Sequence, residues 1–407
     1  MKLKLIYLLS AFFIFFSCGK HDDEIEEIVD NTDNYRYEIL REYNFGELQA
    51  MEKSIGLPVG LISFIGTTPK YDGNTQMKVY KVMLPSENPN GTGGKIALSG
   101  LLIVPPLEND KSYRQVIAPA YTFITSDAAP TVRIEQNKLE QHLIFWIIEA
   151  YRYSCAVMIP DYPGFGDSFG ECFIPYLEKN SMIRTTVEYI DASRKVLEKE
   201  NYRQRNGLII SGYSLGAYVS LQLAREIETK NLYTVDYLIV GGSPCNLLQE
   251  AELIRKSTNL SQPYLFPFAL LGFKKNSYPN LVMNDYMNEP YASQAASYLD
   301  GRHSGFEDFF PTKTSELFTA SFINNQGMNE INRILDENSV KTWQNKCKFI
   351  MTHGSDDVTV YYVQARDFAA AQNESGGEVE FEETLGSHTG AGIWFYLKLM
   401  IELDKME

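Results

Sequence analysis

The sequence predicts an α/β domain: a mainly parallel sheet with helices on both faces and one helical insertion. Two observations carry this. Short apolar strand-like runs alternate with amphipathic helix-like runs from about residue 77 onward, and strands that alternate with helices pack as a parallel sheet covered on both sides. The alternation stops between about residues 246 and 343 and then resumes, which marks one insertion within a single domain of this 407-residue chain.

The elements follow in order. Residues 77–84 and 95–105 read as strands separated by a turn at Asn88-Pro89-Asn90-Gly91, and 115–121 as a third. Residues 134–151 read as a helix with Leu139, Leu143, Trp146 and Ile147 on its apolar face. A short apolar strand follows at 155–160. The helix at 181–200 buries Ile183, Val187, Ile190 and Val196. Then come strand 207–211, helix 215–228 and strand 237–240. Beyond the insertion the rhythm returns at 347–352, 360–371, 378–383 and 390–403. The insertion is rich in aromatics, including Phe266, Phe268, Phe318 and Phe322. Large apolar side chains mostly bury themselves, so a cap core is the plain expectation and a lipid or aromatic-ester site the functional one.

Composition narrows the function. Hydrophobic residues make up 44% and charged residues 22%, ordinary for a globular protein and unlike a fibrous or disordered one. The net charge of −15 argues against nucleic acid as a partner, which needs a basic patch. No Cys-x-x-Cys and no histidine pair at ligand spacing is present, so neither a metal nor a cofactor is implied. Cys155 and Cys347 read as buried thiols in apolar runs; bridges among Cys155, Cys172, Cys245 and Cys347 stay open.

At the N-terminus, Lys2 and Lys4 precede an apolar run over 5–16. A bilayer span needs about 20 apolar residues, so this run has the length of a signal-peptide core and 1–17 is expected to be a signal peptide. Ser17-Cys18 resembles the lipobox of bacterial lipoproteins, although Phe15 and Phe16 stand where Leu and a small residue are usual. Lys20-His21-Asp22-Asp23-Glu24 resembles the acidic export tag of Bacteroidetes-type surface lipoproteins. The resemblance implies lipidation of Cys18, an acidic tether over 18–45 and a folded domain over 46–407. It also implies membrane attachment through the lipid, at the outer membrane or cell surface. The alternative is an ordinary cleaved signal peptide with an incidental cysteine.

Gly212-Tyr213-Ser214-Leu215-Gly216 is a G-x-S-x-G motif set between the strand-like run 208–211 and the helix-like run from 217. A serine on so tight a strand-to-helix turn is strained and exposed, and glycines flank it because side chains would collide there. An incidental glycine turn is the bland alternative. In this context the motif resembles the nucleophile elbow of the α/β-hydrolases. In that fold the triad runs Ser, then Asp or Glu, then His. Of five histidines, His21 lies in the tether, His142 precedes the nucleophile, His303 lies in the insertion and His353 ends a strand. Only His388, between a strand and the last helix, follows a plausible acid, which is Asp356 or Asp357.

The segment His353-Gly354-Ser355-Asp356-Asp357-Val358-Thr359-Val360 resembles the H-G-x-x-D-x-x-V signature of prolyl oligopeptidase-like and lipase-like α/β-hydrolases. Its register implies Asp357. An oxyanion hole is implied as well, with one donor the Leu215 N–H and the second from the loop Pro119-Ala120-Tyr121-Thr122-Phe123. That loop is similar to the Pro-Gly-Tyr-Thr loop of cutinase-like polyester hydrolases, which implies the Tyr121 amide; if Tyr121 merely packs, the donor is Thr122. Asp161-Tyr162-Pro163-Gly164-Phe165-Gly166-Asp167-Ser168 resembles the D-x-x-G-x-G-x-S loop of the superfamily. Gly241-Gly242-Ser243-Pro244 resembles the step that opens the cap of secretory lipases.

The expected activity is hydrolysis of small-molecule carboxylic esters through an acyl-enzyme on Ser214, with His388 as base. A surface peptidase of prolyl oligopeptidase type would share the triad. The stretch before the first clear strand is too short for the β-propeller that usually accompanies it. A non-catalytic ligand-binding lipoprotein is the other alternative, and an intact Ser, Asp and His in order speaks against it.

Overall fold

The computed structural model describes residues 28–29, 34–54, 69–72 and 75–406. The expected signal peptide and Cys18 lie outside these residues. One sheet organises the fold. Its strands are β1 (Ile28–Val29), β2 (Arg36–Tyr43), β3 (Met77–Glu87), β4 (Lys95–Val104), β5 (Ser112–Ile117), β6 (Cys155–Pro160), β7 (Arg203–Tyr213), β8 (Val235–Gly241), β9 (Lys348–Gly354) and β10 (Glu380–Thr384). They lie in the order β1-β2-β3-β4-β6-β5-β7-β8-β9-β10. The pairings from β1 through β4 to β6 are antiparallel, and those from β6 through β5 to β10 are parallel.

The central strands are apolar on both faces because both faces are covered. In β6, Ala156 and Met158 join one core and Cys155, Val157 and Ile159 the other. In β7, β8 and β9, Ile209, Ile239 and Ile350 point opposite to Leu208, Leu238 and Phe349. The helices Gln141–Tyr153 and His388–Asp404 cover one face, contributing Trp146, Ile147, Phe395 and Leu399. The helices Lys179–Lys199, Leu215–Lys230 and Tyr362–Glu374 cover the other, with Ile190, Leu221 and Phe368. Between β8 and β9 the regular elements are all helical, from Leu247–Lys256 to Asn329–Asn338.

Two expectations change, and one left open is settled. The tether expected over 18–45 contains β2, which pairs along β3, so the folded domain begins earlier than residue 46. The reason is aromatic: Tyr37 is 1% exposed, and its hydroxyl and that of Tyr80 donate to the two oxygens of Glu200 at 2.8 Å each. The helix expected over 134–151 is two, Pro130–Glu135 and Gln141–Tyr153. Asn137 takes a left-handed φ of 54° and Lys138 N donates to Arg133 O, a closure that ends the first helix. Cys155, Cys172, Cys245 and Cys347 are all free thiols. Among the described residues no helix is long and apolar enough to cross a membrane.

Candidate active site

Ser214 stands where β7 gives way to the helix Leu215–Lys230. Its backbone has φ 57° and ψ −121°, a conformation that costs a non-glycine residue of order 1–3 kcal/mol and persists only where surroundings enforce it. Two contacts enforce it. Ser214 N donates to Gly241 O at 2.9 Å, and Tyr218 N returns to Ser214 O at 3.0 Å. Gly216 is required because a Cβ there would overlap the carbonyl oxygen of Pro119. The same contact presses the loop after β5 against the start of the helix Leu215–Lys230, beside the buried Leu215.

His388 opens the last helix, capped by Ser387, whose side chain accepts from Gly390 N. Its Nε2 lies 2.9 Å from Ser214 Oγ and its Nδ1 2.6 Å from Asp357 Oδ2. Asp357 sits in the turn after β9 and is 2% exposed. Its Oδ1 accepts from Thr359 N and Val360 N, both at 2.9 Å. Burial pushes the Asp357 carboxyl up, but hydrogen bonds from His353 and His388 outweigh it and hold it down at about 2. An ionised carboxylate accepts only, so His388 Nδ1 carries a proton and Nε2 offers its lone pair to Ser214. Asp356, one residue earlier, is exposed, and its N–H donates to Gly386 O.

The structure therefore brings Ser214, His388 and Asp357 together and leaves Asp356 in solvent. Tyr121 follows the carbonyls packed on Gly216. Its ring meets His142 edge-on and its hydroxyl donates to Glu140 Oε2 at 2.5 Å. Thr122 uses its side chain on the Tyr176 hydroxyl at 3.0 Å. The Asp161 loop is a structural joint, since the buried Asp161 accepts from Ser99 Oγ at 2.6 Å and Thr131 Oγ1 at 2.5 Å.

Four supporting residues escaped sequence reasoning. Tyr213, the variable residue of the elbow, donates its hydroxyl to His388 O at 2.5 Å and sets its ring, tilted by 40°, beside the imidazole with centroids 5.3 Å apart. Gln364 accepts from Cys245 N and Asn246 N and donates to Ser243 O, tying the entry of the cap to the helix after Asp357. Glu250, on the first cap helix, accepts from Tyr361 N at 3.2 Å. His353 sits against Asp357 itself, 3.3 Å from its Oδ2. The shared H-G-x-x-D spacing was the one available signal for any of these.

A cavity of about 310 Å³ lies between the 164–174 loop and the cap, walled by Phe165, Phe169, Phe173, Phe268 and Leu299. Neither Ser214 nor His388 lines it. Phe268, in its wall, packs on Tyr176, whose hydroxyl meets Thr122 of the 119–123 loop.

No protein-family model and no curated protein matches the chain. Solved structures do. A Legionella pneumophila protein provisionally designated a hydrolase superposes with a TM-score of 0.78 at 14% identity, over 93% of this chain and 98% of that one. The rice cell wall degrading esterase LipA of Xanthomonas oryzae gives 0.72 at 19% identity, over 91% and 98%. Lipase A of Candida antarctica gives 0.58 at 15% identity, over 77% and 73%. The fold is that of the α/β-hydrolases.

Proposed function

We propose that the protein is a serine hydrolase of small-molecule carboxylic esters, acting through an acyl-enzyme on Ser214. The observation that carries this is the relay from Ser214 Oγ through His388 to Asp357, at 2.9 and 2.6 Å, on a strained elbow. The resemblance of the fold to hydrolases, an esterase and a lipase supports the same reading. His388 Nε2 takes the proton of Ser214 as Oγ attacks the ester carbonyl carbon. The developing oxyanion lies at the N-terminus of the helix Leu215–Lys230, where the Leu215 N–H and the helix dipole stabilise it, with the Tyr121 N–H as second donor. His388 then passes the proton to the leaving alkoxide, and water attacks the acyl-enzyme with the same base. In keeping with the N-terminal sequence, the enzyme is an exported lipoprotein held at the outer membrane or cell surface through Cys18.

Purified protein lacking residues 1–18 is treated with a fluorophosphonate beside Ser214→Ala, and p-nitrophenyl esters are compared with aminoacyl anilides. Labelling lost in the variant, with esters turned over and anilides not, is the expected result. Labelling without ester turnover moves the reading to a peptidase. No labelling of either protein refutes an activated serine. Metabolic labelling of the full chain with a fatty-acid analogue, lost in Cys18→Ala, tests the anchor.

A further inference from the structure

We propose that His353 is a positioning residue of the triad, a neutral second histidine that fixes the Asp357 carboxylate in the orientation from which it steers His388. This rests on the triad reading above. His353 lies in β9, four residues before Asp357, and is 1% exposed. Its Nε2 is 2.9 Å from Val360 O and 3.3 Å from Asp357 Oδ2. A carbonyl oxygen can only accept, so Nε2 carries the proton. Nδ1 is buried with no hydrogen-bond partner. A second proton there would be a buried donor without an acceptor.

The carboxylate is thus held from four sides. Oδ1 takes the N–H groups of Thr359 and Val360, Oδ2 takes His388, and the His353 N–H, bonded to Val360 O, passes 3.3 Å from Oδ2. The neutral N–H of His353 draws on Oδ2 without adding a charge that would oppose an imidazolium at His388. Other ionisable groups face the same turn. Glu250 reaches it from the cap through Tyr361 N, and the Tyr362 ring lies 6.1 Å from that of His353 with its hydroxyl donated to Glu383. None of these donates to Asp357 in place of His353. A merely structural histidine would close the turn onto Val360 O and leave the chemistry of His388 untouched, so the two roles separate by experiment.

The measurement is the rate of Ser214 phosphonylation by a fluorophosphonate from pH 4.5 to 9, in wild type, His353→Met and His353→Gln. Met and Gln are close in shape, and only Gln keeps a donor. Removing one donor from a charged acceptor is expected to slow His353→Met about tenfold. Its acid limb should move up by roughly half a pH unit, because a less restrained carboxylate favours the imidazolium more. His353→Gln should restore both. A limb unmoved in His353→Met, whatever its stability, overturns the proposal. A wild-type measurement keeps it testable if that variant does not fold: nitrogen-detected NMR of His353 should show the neutral Nε2–H form throughout, and titration or an Nδ1–H form overturns the inference. If wild type fails to react at Ser214, the hydrolase reading falls. The link itself is then read from the low-field His388 Nδ1 proton, which should shift between wild type and His353→Met; no shift overturns the link.

Discussion

The triad frame and the cap are built from different forces. Around the triad each residue is fixed by directional polar contacts that involve backbone: the Asp357 carboxylate by two N–H groups, His388 by Tyr213 on its carbonyl, Ser214 by its N–H to Gly241 O. The cap is held by rings. Phe266, Phe318 and Phe322 meet at centroid distances of 4.7 to 5.4 Å, and Tyr298 stacks on Phe309 at 3.8 Å. Its helices Phe306–Phe309, Thr314–Leu317 and Ala320–Ile323 have four residues each, too short to be stable without such packing. A site that moves protons needs fixed angles, which hydrogen bonds supply. A cover needs only volume, which aromatics fill. Changes in the frame should therefore cost rate, and changes in the cap should cost stability.

The largest expected effect breaks the frame. Asp357→Asn should lower kcat by about 10⁴-fold, because the amide favours the wrong tautomer of His388. Asp356→Asn, one residue away and exposed, should leave kcat and KM unchanged. Steady-state kinetics on one p-nitrophenyl ester decide between them. Equal losses in the two variants would assign the acid wrongly.

Phe322→Ala tests the cap in the same terms. Phe322 is fully buried, touches Phe266 and Phe318, and carries the Arg255 guanidinium over its ring at 4.7 Å. Its truncation should destabilise the protein by about 3–5 kcal/mol in urea unfolding. In the protein that remains folded, the rate of Ser214 with a small fluorophosphonate should stay close to wild type. A fall in that rate without loss of stability would show that the cap sets the triad geometry.

The same division explains what the sequence made legible. The parallel strands were visible because burial on both faces leaves unbroken apolar runs such as 155–160 and 208–211. Ser214 and His388 were visible because the elbow and the chain order are local patterns. The separation of Asp357 from Asp356 needed either a family register or the fold, since nothing in two adjacent aspartates says which one faces inward. β2 was hidden for a physical reason. Its Arg and Glu residues dilute the alternation, Ile39 is 41% exposed, and a register shift between Ile39 and Arg41 breaks the period. Tyr213, Glu250 and Gln364 act across more than 100 positions of sequence, where no local pattern can point; His353 acts only four residues from Asp357, inside the H-G-x-x-D spacing, but that spacing does not say which way its ring faces.

The seam between the two regions gives the smallest expected effect and the sharpest comparison. Glu250 belongs to the first cap helix and accepts from Tyr361 N beside the Asp357 turn. Burial, with the Asp357 charge adding to it against the Tyr361 hydrogen bond, raises its carboxyl to about 8. An acid whose folded-state value exceeds its unfolded value stabilises fully below the unfolded value, and that stability is lost as pH rises through the folded one. The loss attributable to Glu250 should therefore begin above the ordinary carboxylate range and level off beyond pH 8. Glu250→Gln keeps an acceptor for Tyr361 and removes the ionisation. Its melting temperature should match wild type at pH 4 and exceed it increasingly up to pH 9. Thermal unfolding followed across that range checks the sign directly. A constant offset at every pH would mean that Glu250 acts by packing alone, and that cap and frame meet without an electrostatic term.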